Sequence, residues 1–455
     1  MGRWQNIVRS AFERRSNKWS YIVVAAIAFS ASVALAQDSV GEAGPAVLPT
    51  TMEGYLQRAR SANPELMALK ARFHAAEEVV PQAAALPDPS LQWTYFVEPV
   101  QTRTGPQESV FTLSQRFPWF GKLGNSKKSA SAEADALWSA YQSEELELVR
   151  QVSLGFFEYG FVNRAIELTR KNRDWLMTLE PVIEEKVKAG GDINPLLRLK
   201  VEIGKIDDAL QSLEQRRLVD SASLSELMAL PYDTLLPWPT WNAPDVINPD
   251  GSALARAIET DNPELQVLVH KVDSVKARWE VARRESYPDV TAGLNYIVLG
   301  DPEVNPTTPD AGKDPWGVTV GVTIPLQLKR NKAARSEMTF AQTALERTHE
   351  QKLNELKADL RSSLALLDDA NRRLQLYGDE LLALAEQAVE NSRTSYEGGR
   401  TGILEVIDSE RSLLELQLLY WRAAADSWQH RVTIQTLANR PISVITEAAD
   451  RDEHE

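Results

Sequence analysis

Apolar residues recur every seven positions along a stretch of about 70 residues in the second half of the chain, 329–397. One row contains Leu353, Leu360, Leu367, Leu374 and Leu381. A second row, three positions later, contains Leu356, Ala370, Tyr377 and Leu384. This spacing predicts the a and d positions of a coiled coil. An amphipathic helix on a globular core would carry the same stripe, but no compact core extends along a helix of about 100 Å.

A second pattern, strict alternation, occupies two other parts of the chain. Within 316–324, glycine and threonine alternate with the apolar residues Trp316, Val318, Val320, Val322 and Ile324. Residues 290–298 and 91–97 alternate similarly, whereas the pattern is poorer around Phe111 and Leu113. A period of two predicts β-strands. Two environments fit it: a half-buried soluble hairpin, or transmembrane strands with their apolar side chains facing lipid.

The same order of signals occurs twice, at an offset of about 200 residues. The matched segments are Asn63-Pro64-Glu65-Leu66 with Asn262-Pro263-Glu264-Leu265, Pro87-Asp88 with Pro288-Asp289, Pro118 and Lys122 with Pro325 and Lys329, and Gly190-Gly191 with Gly398-Gly399. Four matches in register indicate duplication, with a period far longer than that of a solenoid. We therefore predict two structural repeats, 37–245 and 246–441.

Each repeat has the same predicted plan. A helical stretch (51–86; 252–287) precedes strands at about 90–118 and 289–325. A long helix (about 122–189; 329–397) then leads to the glycine pair and a last helix (about 193–230; 402–439). Exposed loops are expected between the paired strands, at 98–107 and 299–315, because both segments are rich in turn-forming and charged residues.

Both ends of the chain have distinctive compositions. A basic leader precedes the apolar run 21–35, which closes on Ala34-Leu35-Ala36. This order predicts a secretory signal peptide over 1–36, since the run is shorter than the roughly 20 residues of a transmembrane helix. Residues 442–455 form an acidic C-terminal tail. After the leader, no apolar run is long enough to predict a transmembrane helix.

Composition excludes several classes of function. The formal charge of −14 disfavours a nucleic-acid partner. The chain contains no Cys, and its five His and six Met are dispersed, so we predict no metal site and no cofactor. No nucleophile elbow, phosphate loop or His-carboxylate cluster is present, and an enzyme is not expected.

The number of strands constrains assembly if they cross a membrane. A barrel in lipid must close, because an open edge leaves backbone groups unsatisfied, and four strands per chain are too few. Two chains would give a barrel largely filled by side chains, whereas three chains would give twelve strands and room for a water-filled lumen. A homotrimer is therefore the expected state of a conduit.

The segments Tyr396-Glu397-Gly398-Gly399 and Leu404-Glu405-Val406-Ile407-Asp408-Ser409-Glu410-Arg411 follow the long heptad helix. They resemble the tyrosine-x-x-glycine and leucine-x-valine-leucine-aspartate signature of the outer-membrane efflux (TolC) family. The resemblance implies a mainly α fold with a β-barrel portion: a trimeric twelve-stranded outer-membrane barrel continued by a twelve-helix periplasmic coiled-coil tunnel. It also implies a periplasmic adaptor (membrane fusion) protein and an inner-membrane efflux pump as partners.

The resemblance assigns roles to individual residues. Glu405 and Asp408 fall on paired acidic positions that ring the pore constriction, Tyr396 on a tyrosine latch, and Arg400 one residue from a latch arginine. The turns at Gly190, Gly191, Gly398 and Gly399 would be the tips that dock the adaptor. In the first repeat, Leu197 and Lys200 lie opposite the two acids. A merely solvated helix face would also place two acids three residues apart.

The segment Phe117-Pro118-Trp119-Phe120-Gly121-Lys122 resembles a phenylalanine-proline-x-x-glycine-lysine sequence of family members that serve heavy-metal efflux. The change from strand to helix would by itself explain the proline and the glycine. The main alternative to a channel is a periplasmic coiled-coil scaffold, which would share the heptads and the leader but would not need alternating strands.

Overall fold

The computed structural model describes residues 48–301 and 309–441, and the predicted leader (1–36) and acidic tail (442–455) lie outside them. The helices are α1 (Met52–Ala62), α2 (Pro64–Ala84), α3 (Lys122–Lys188), α4 (Asn194–Leu227), α5 (Gly251–Asp261), α6 (Pro263–Arg284), α7 (Leu328–Gln375), α8 (Leu382–Glu397) and α9 (Ile403–Ala438). The strands are β1 (Ser90–Thr102), β2 (Gly105–Phe117), β3 (Asp289–Leu299) and β4 (Trp316–Thr323). The prediction of a mainly α fold with a strand portion is confirmed.

The helices form an elongated bundle around α3. This 67-residue helix packs against α2, α4, α6 and α9, and α9 also packs against α7 and α8. The core consists of three separate apolar clusters. They centre on Phe156 and Tyr159, on Leu254 and Leu360, and on Leu199 with Val406 and neighbouring side chains. Several clusters are needed because a single compact core cannot cover so long a helix.

The two Asn-Pro-Glu-Leu segments have the same local structure. Each asparagine caps the helix that follows it, and its side-chain oxygen accepts hydrogen bonds from the backbone N–H groups of the second and third residues of that helix. The Nδ2 group of Asn63 donates to the carbonyl of Leu227 at 3.2 Å, and that of Asn262 donates to Leu437 at 2.9 Å. Each cap therefore also ties its helix to the end of the last long helix of the same half.

The heptad rows of α7 are buried until the helix reaches a π-helical turn, Leu376–Leu381. Leu356, Leu360, Leu367, Ala370 and Leu374 are all buried. Beyond the turn, Leu381, Leu382 and Ala385 are half-buried and Leu384 is 60% exposed in the chain; one turn later Val389 is buried, whereas Ala388, seven residues after Leu381, is exposed. The π turn contains one residue more than an α turn, so the buried row resumes one position later.

This interpretation predicts opposite outcomes for two single-residue deletions. Deleting Asp379, an exposed residue of the π turn, should restore an unbroken heptad spacing from Leu374 to Leu382. The midpoint of thermal unfolding in detergent should then stay the same or rise. Deleting the exposed Glu386 from α8 should turn Val389 out of the bundle and cost about 1.5–3 kcal/mol. Equal losses from both deletions would contradict a phase-correcting role for the π turn.

The four strands form one antiparallel sheet in the order β1-β2-β3-β4. Within the described residues, one long edge of β1 and one of β4 have no strand partner. The predicted loop at 98–107 is wrong, because β1 and β2 continue through most of it and a tight turn at Arg103 and Thr104 joins them. The irregularity there is a bulge between Tyr95 and Val100, which accommodates Pro99.

None of the helices within 48–301 and 309–441 combines the length and the apolar character that a membrane crossing requires.

Candidate functional site

The sheet has an apolar face that the helices do not cover. The register aligns Trp93, Phe111, Tyr296 and Trp316 in one row across all four strands. Trp316 is 70% exposed, and Val318 and Val320 on the same edge strand are almost as open. So large an exposed apolar surface marks contact with a membrane or with another protein.

The opposite face of the sheet is polar. The hydroxyl of Thr112 donates to Asn295 at 2.8 Å, and the amide of Asn295 donates to the hydroxyl of Thr319 at 2.5 Å. Ser90 and Ser114 share a further hydrogen bond of 2.7 Å. The two faces therefore suit two different environments, an apolar one and an aqueous one.

A buried ion cluster joins the sheet to the helices. The carboxylate of Asp289, only 3% exposed, accepts hydrogen bonds from Lys122 Nζ at 2.8 Å, from Arg116 Nη2 at 2.5 Å and from the backbone N–H of Trp119 at 2.9 Å. Gly121 precedes Lys122 with a φ of +82°, and a Cβ there would lie 2.7 Å from the Nε of Arg284. The Phe-Pro-x-x-Gly-Lys segment thus has a structural role: its glycine makes the strand-to-helix turn and its lysine neutralises Asp289.

The first helical tip ends in a Schellman motif. The N–H groups of Gly190 and Gly191 donate to the carbonyls of Val187 and Lys186, each at 2.9 Å. Gly190 is the residue with positive φ, at +92°. It is therefore the position at which the left-handed conformation requires glycine.

The second tip uses the same motif. Gly399 donates to Tyr396 at 3.0 Å and Arg400 donates to Ser395 at 2.8 Å, while Gly399 has a φ of +68°. The two turns therefore correspond through Gly190 and Gly399, the first glycine of one pair and the second of the other. The sequence repeat matches Gly190 with Gly398. In the structure the equivalent residue of Gly190 is Gly399, one position later.

The three carboxylates near the start of α9 divide into two groups. Glu405 and Asp408 are exposed, and in the described part of the chain Asp408 forms an ion pair with Arg411, at 3.3 Å. Glu410 is buried and paired with Arg393, which itself lies 4.6 Å from the ring centroid of Trp175. Glu410 therefore holds α8 and α9 together, and the other two acids remain free to face solvent or a neighbour.

The predicted latch tyrosine has a partner in its own chain. Lys186 Nζ donates to the hydroxyl of Tyr396 at 2.8 Å and lies 4.2 Å from its ring centroid. Arg400 is exposed beside Gly398. Tyr396 therefore contacts Lys186, near the end of α3. No sequence pattern singled out this lysine.

Lys200 forms ion pairs with two carboxylates of its own chain. Its ammonium lies 2.8 Å from Glu180 and 3.5 Å from Glu184. The hydrogen bond to Glu180 raises the pKa of Lys200, so the side chain stays charged. The carboxylates of Glu405 and Asp408 are not its partners in the described chain.

Residues 55–176 and 254–440, more than half of the chain, match the family described as outer membrane efflux protein. The chain belongs to the outer membrane efflux protein family. Its sequence is 23% identical over 435 residues to the cobalt-zinc-cadmium resistance protein CzcC of Cupriavidus metallidurans, covering 91% of this chain and 98% of that protein. It is also 23% identical to the probable outer membrane lipoprotein SilC of Salmonella typhimurium, over 69% of this chain and 68% of that one.

Solved structures share the fold of this outer membrane efflux protein. The outer-membrane channel OprN aligns with a TM-score of 0.71 at 14% identity, covering 86% of this chain and 90% of that one. A crystal structure of CusC aligns with a TM-score of 0.69 at 16% identity, covering 85% and 91%. The MtrE outer membrane channel of Neisseria gonorrhoeae, in its open state, also scores 0.69 at 15% identity, covering 86% and 89%.

Among the described residues of this efflux protein, no group of three or more His, Asp or Glu side chains is arranged to hold a metal ion.

The sequence could have revealed the buried Glu410, because it falls on the same helical face as Ile403, Val406 and Ile407. No comparable sequence signal indicated the contact between Lys186 and Tyr396.

Proposed function

We propose that this protein is the outer-membrane channel of a tripartite efflux system. It receives substrates from a periplasmic adaptor and an inner-membrane pump and conducts them across the outer membrane. The observation that carries the proposal is the four-stranded sheet, with an exposed apolar face, a hydrogen-bonded polar face and two edges that no other described strand pairs with. Membership in the outer membrane efflux protein family supports it.

Three copies would complete the duct. Exposed edges of β1 and β4 cannot persist in lipid, since their backbone groups would lack hydrogen-bond partners. Pairing β4 of one protomer with β1 of the next closes a twelve-stranded barrel, with the row containing Trp93 and Trp316 facing lipid and the row containing Asn295 facing water. The long helices then continue the barrel as a twelve-helix tunnel into the periplasm.

The constriction of this tunnel would lie near the start of α9. Glu405 and Asp408 are both exposed in the single chain, so three-fold symmetry could bring their carboxylates around one axis. Tyr396 and Arg400 would latch this end of the tunnel, and the turns at Gly190-Gly191 and Gly398-Gly399 would dock the adaptor. An acidic ring favours cations over anions.

Divalent metal ions are the cargo that best fits these features. A relative is named for cobalt, zinc and cadmium resistance, and CusC is named a cation efflux system protein. Here the metal is a substrate in transit and not a resident cofactor. A deletion strain should be more sensitive to one or more of these ions, and complementation with the intact gene should restore its resistance. Unchanged sensitivity to all of them would argue for another cargo.

Membrane fractionation distinguishes the channel from a coiled-coil scaffold of the periplasm. We expect the full chain to resist salt and carbonate washes and to enter the outer-membrane detergent extract, because the apolar row would lie in lipid. Replacing the exposed Trp316, Val318 and Val320 by Ser should shift most of the protein out of that fraction. The same number of Ser substitutions on the polar face, at Asn295, Thr112 and Thr319, should leave it in the membrane. Recovery of the wild-type chain with soluble periplasmic proteins would favour the scaffold.

A further inference from the structure

The junction between β3 and the helices contains two contacts across neighbouring strands. Asp289, at the start of β3, pairs with Lys122, which follows β2. Two residues before Asp289, the ring of Tyr287 stacks on Trp119, with centroids 5.4 Å apart and planes inclined by 8°. At the junction where β2 lies beside β3, an ion pair and an aromatic stack thus connect the sheet to the helical bundle.

The duplicated sequence supplies the same elements at the two free edges. Asp88 precedes β1 as Asp289 begins β3, and Lys329 follows β4 as Lys122 follows β2. Both Asp88 and Lys329 are exposed, and no ion pair joins either of them to another described residue.

Apolar residues recur at these edges too. Before β1, Leu86 precedes Asp88 by two residues, just as Tyr287 precedes Asp289. After β4, Leu326 precedes Lys329 by three residues, just as Trp119 precedes Lys122. Leu326 is 81% exposed and Leu86 is 50% exposed. Each edge therefore carries one charged and one apolar group. At the inner junction the equivalent charged groups, Asp289 and Lys122, are buried, whereas the equivalent rings are stacked on each other but stay partly exposed.

We infer that Asp88 of one protomer forms an ion pair with Lys329 of the next, and that Leu86 packs against Leu326 across the same boundary. The inference rests on the proposed trimer, in which β4 lies beside β1 of the neighbour as β2 lies beside β3. A lipid headgroup could bind Lys329 but would leave the carboxylate of Asp88 without a cation. A second copy of the chain satisfies both charges and covers both leucines.

The boundary between protomers differs from the inner junction in one respect. The position equivalent to Arg116, two residues before the proline, is occupied by Thr323. Asp88 therefore meets one cation where Asp289 meets two. The ion pair between subunits is accordingly more sensitive to salt than the buried cluster, because it is less shielded from solvent.

The absence of natural cysteine makes a direct test possible. The full chain carrying Asp88→Cys and Lys329→Cys is purified from outer membranes in detergent and treated with a short bismaleimide. A cross-link within one chain is excluded by distance, since β1 and β4 are separated by three strand spacings, about 14 Å. We expect covalent dimers and trimers on denaturing gels, and only monomers from either single cysteine variant. Ser90→Cys with Ser114→Cys is the matched control: these surface residues are hydrogen-bonded within one chain, so they should cross-link internally without forming oligomers.

Charge exchange provides the second measurement. Asp88→Lys and Lys329→Asp should each lower the temperature at which the trimer dissociates in detergent, and the double exchange should restore most of the loss. A wild-type trimer whose double-cysteine variant gives no ladder, or whose charge exchange restores nothing, would overturn this contact and leave the channel intact as a proposal. A wild-type chain that sediments as a monomer would overturn the trimer and the contact together.

Discussion

Replacing Asp289 by Asn is expected to destabilise the protein by about 3–5 kcal/mol, the usual cost of removing one partner of a buried ion pair. The substitution keeps the size of the side chain but removes the negative charge. Lys122 would then stay buried and, among the described residues, would keep one acidic neighbour, Glu285, which is half-exposed and 3.5 Å away. Unfolding in detergent, followed by far-ultraviolet circular dichroism, should show this loss at constant detergent concentration.

Two further substitutions make this expectation specific. Lys122→Met should cost less than Asp289→Asn, because Arg116 and the N–H of Trp119 still bind the carboxylate. Combining the two should be less harmful than the sum of the single losses, since an uncharged pair leaves no isolated charge. Asp310→Asn is the matched control: its exposed ion pair with Lys313, 2.6 Å long, should contribute little to stability because solvent screens it. Similar losses for Asp289→Asn and Asp310→Asn would show that burial of Asp289 has no energetic consequence.

Local patterns in the sequence were sufficient to predict the types of element and their order. The seven-residue spacing of apolar side chains reflects which side of a helix packs against a neighbouring helix. It correctly predicted that Leu360 and Leu367 are buried. Alternation likewise marked the strands, because a period of two is a property of each strand alone. The amphipathic nature of the sheet could therefore be inferred before its register was known.

What the sequence could not reveal depends on contacts between distant segments. The π turn before Leu382 moves the buried row by one position, and no residue type specifies such a turn. The contact between Lys186 and Tyr396 joins the ends of two long helices that lie far apart in the chain. The loop predicted at 98–107 was wrong because Pro99 and the charged residues around it are compatible with a bulged strand that is exposed on its edge.

The candidate site was predicted less completely than the fold. A family resemblance placed Glu405 and Asp408 together, and helical spacing put them on one face. The structure adds that the neighbouring Glu410, to which the resemblance assigned no role, is buried and paired with Arg393 inside the chain. The structure separates one internal acid from two exposed ones, so the proposed ring is limited to the exposed pair, Glu405 and Asp408.

Replacing Glu405 by Gln and Asp408 by Asn is expected to reduce the cation preference of single channels in planar bilayers several-fold. In a trimer, each substitution would remove one carboxylate per protomer at the narrowest point of the lumen, where charges act through little screening water. Block by multivalent cations should weaken in parallel. The yield of trimer should stay near that of the wild type, because both side chains are exposed and neither contributes to a buried contact of the chain.

Glu346→Gln with Asp359→Asn is the matched control, since these residues of α7 are also exposed and the net charge changes equally. Reversal potentials measured in a salt gradient should move toward zero for the site variant and stay unchanged for the control. Lys200→Gln is expected to increase cation preference, although only slightly, because Glu180 and Glu184 already compensate that lysine. Unchanged reversal potentials in the Glu405 and Asp408 variant would mean that these acids lie on an ordinary solvated helix face, outside the conduction path.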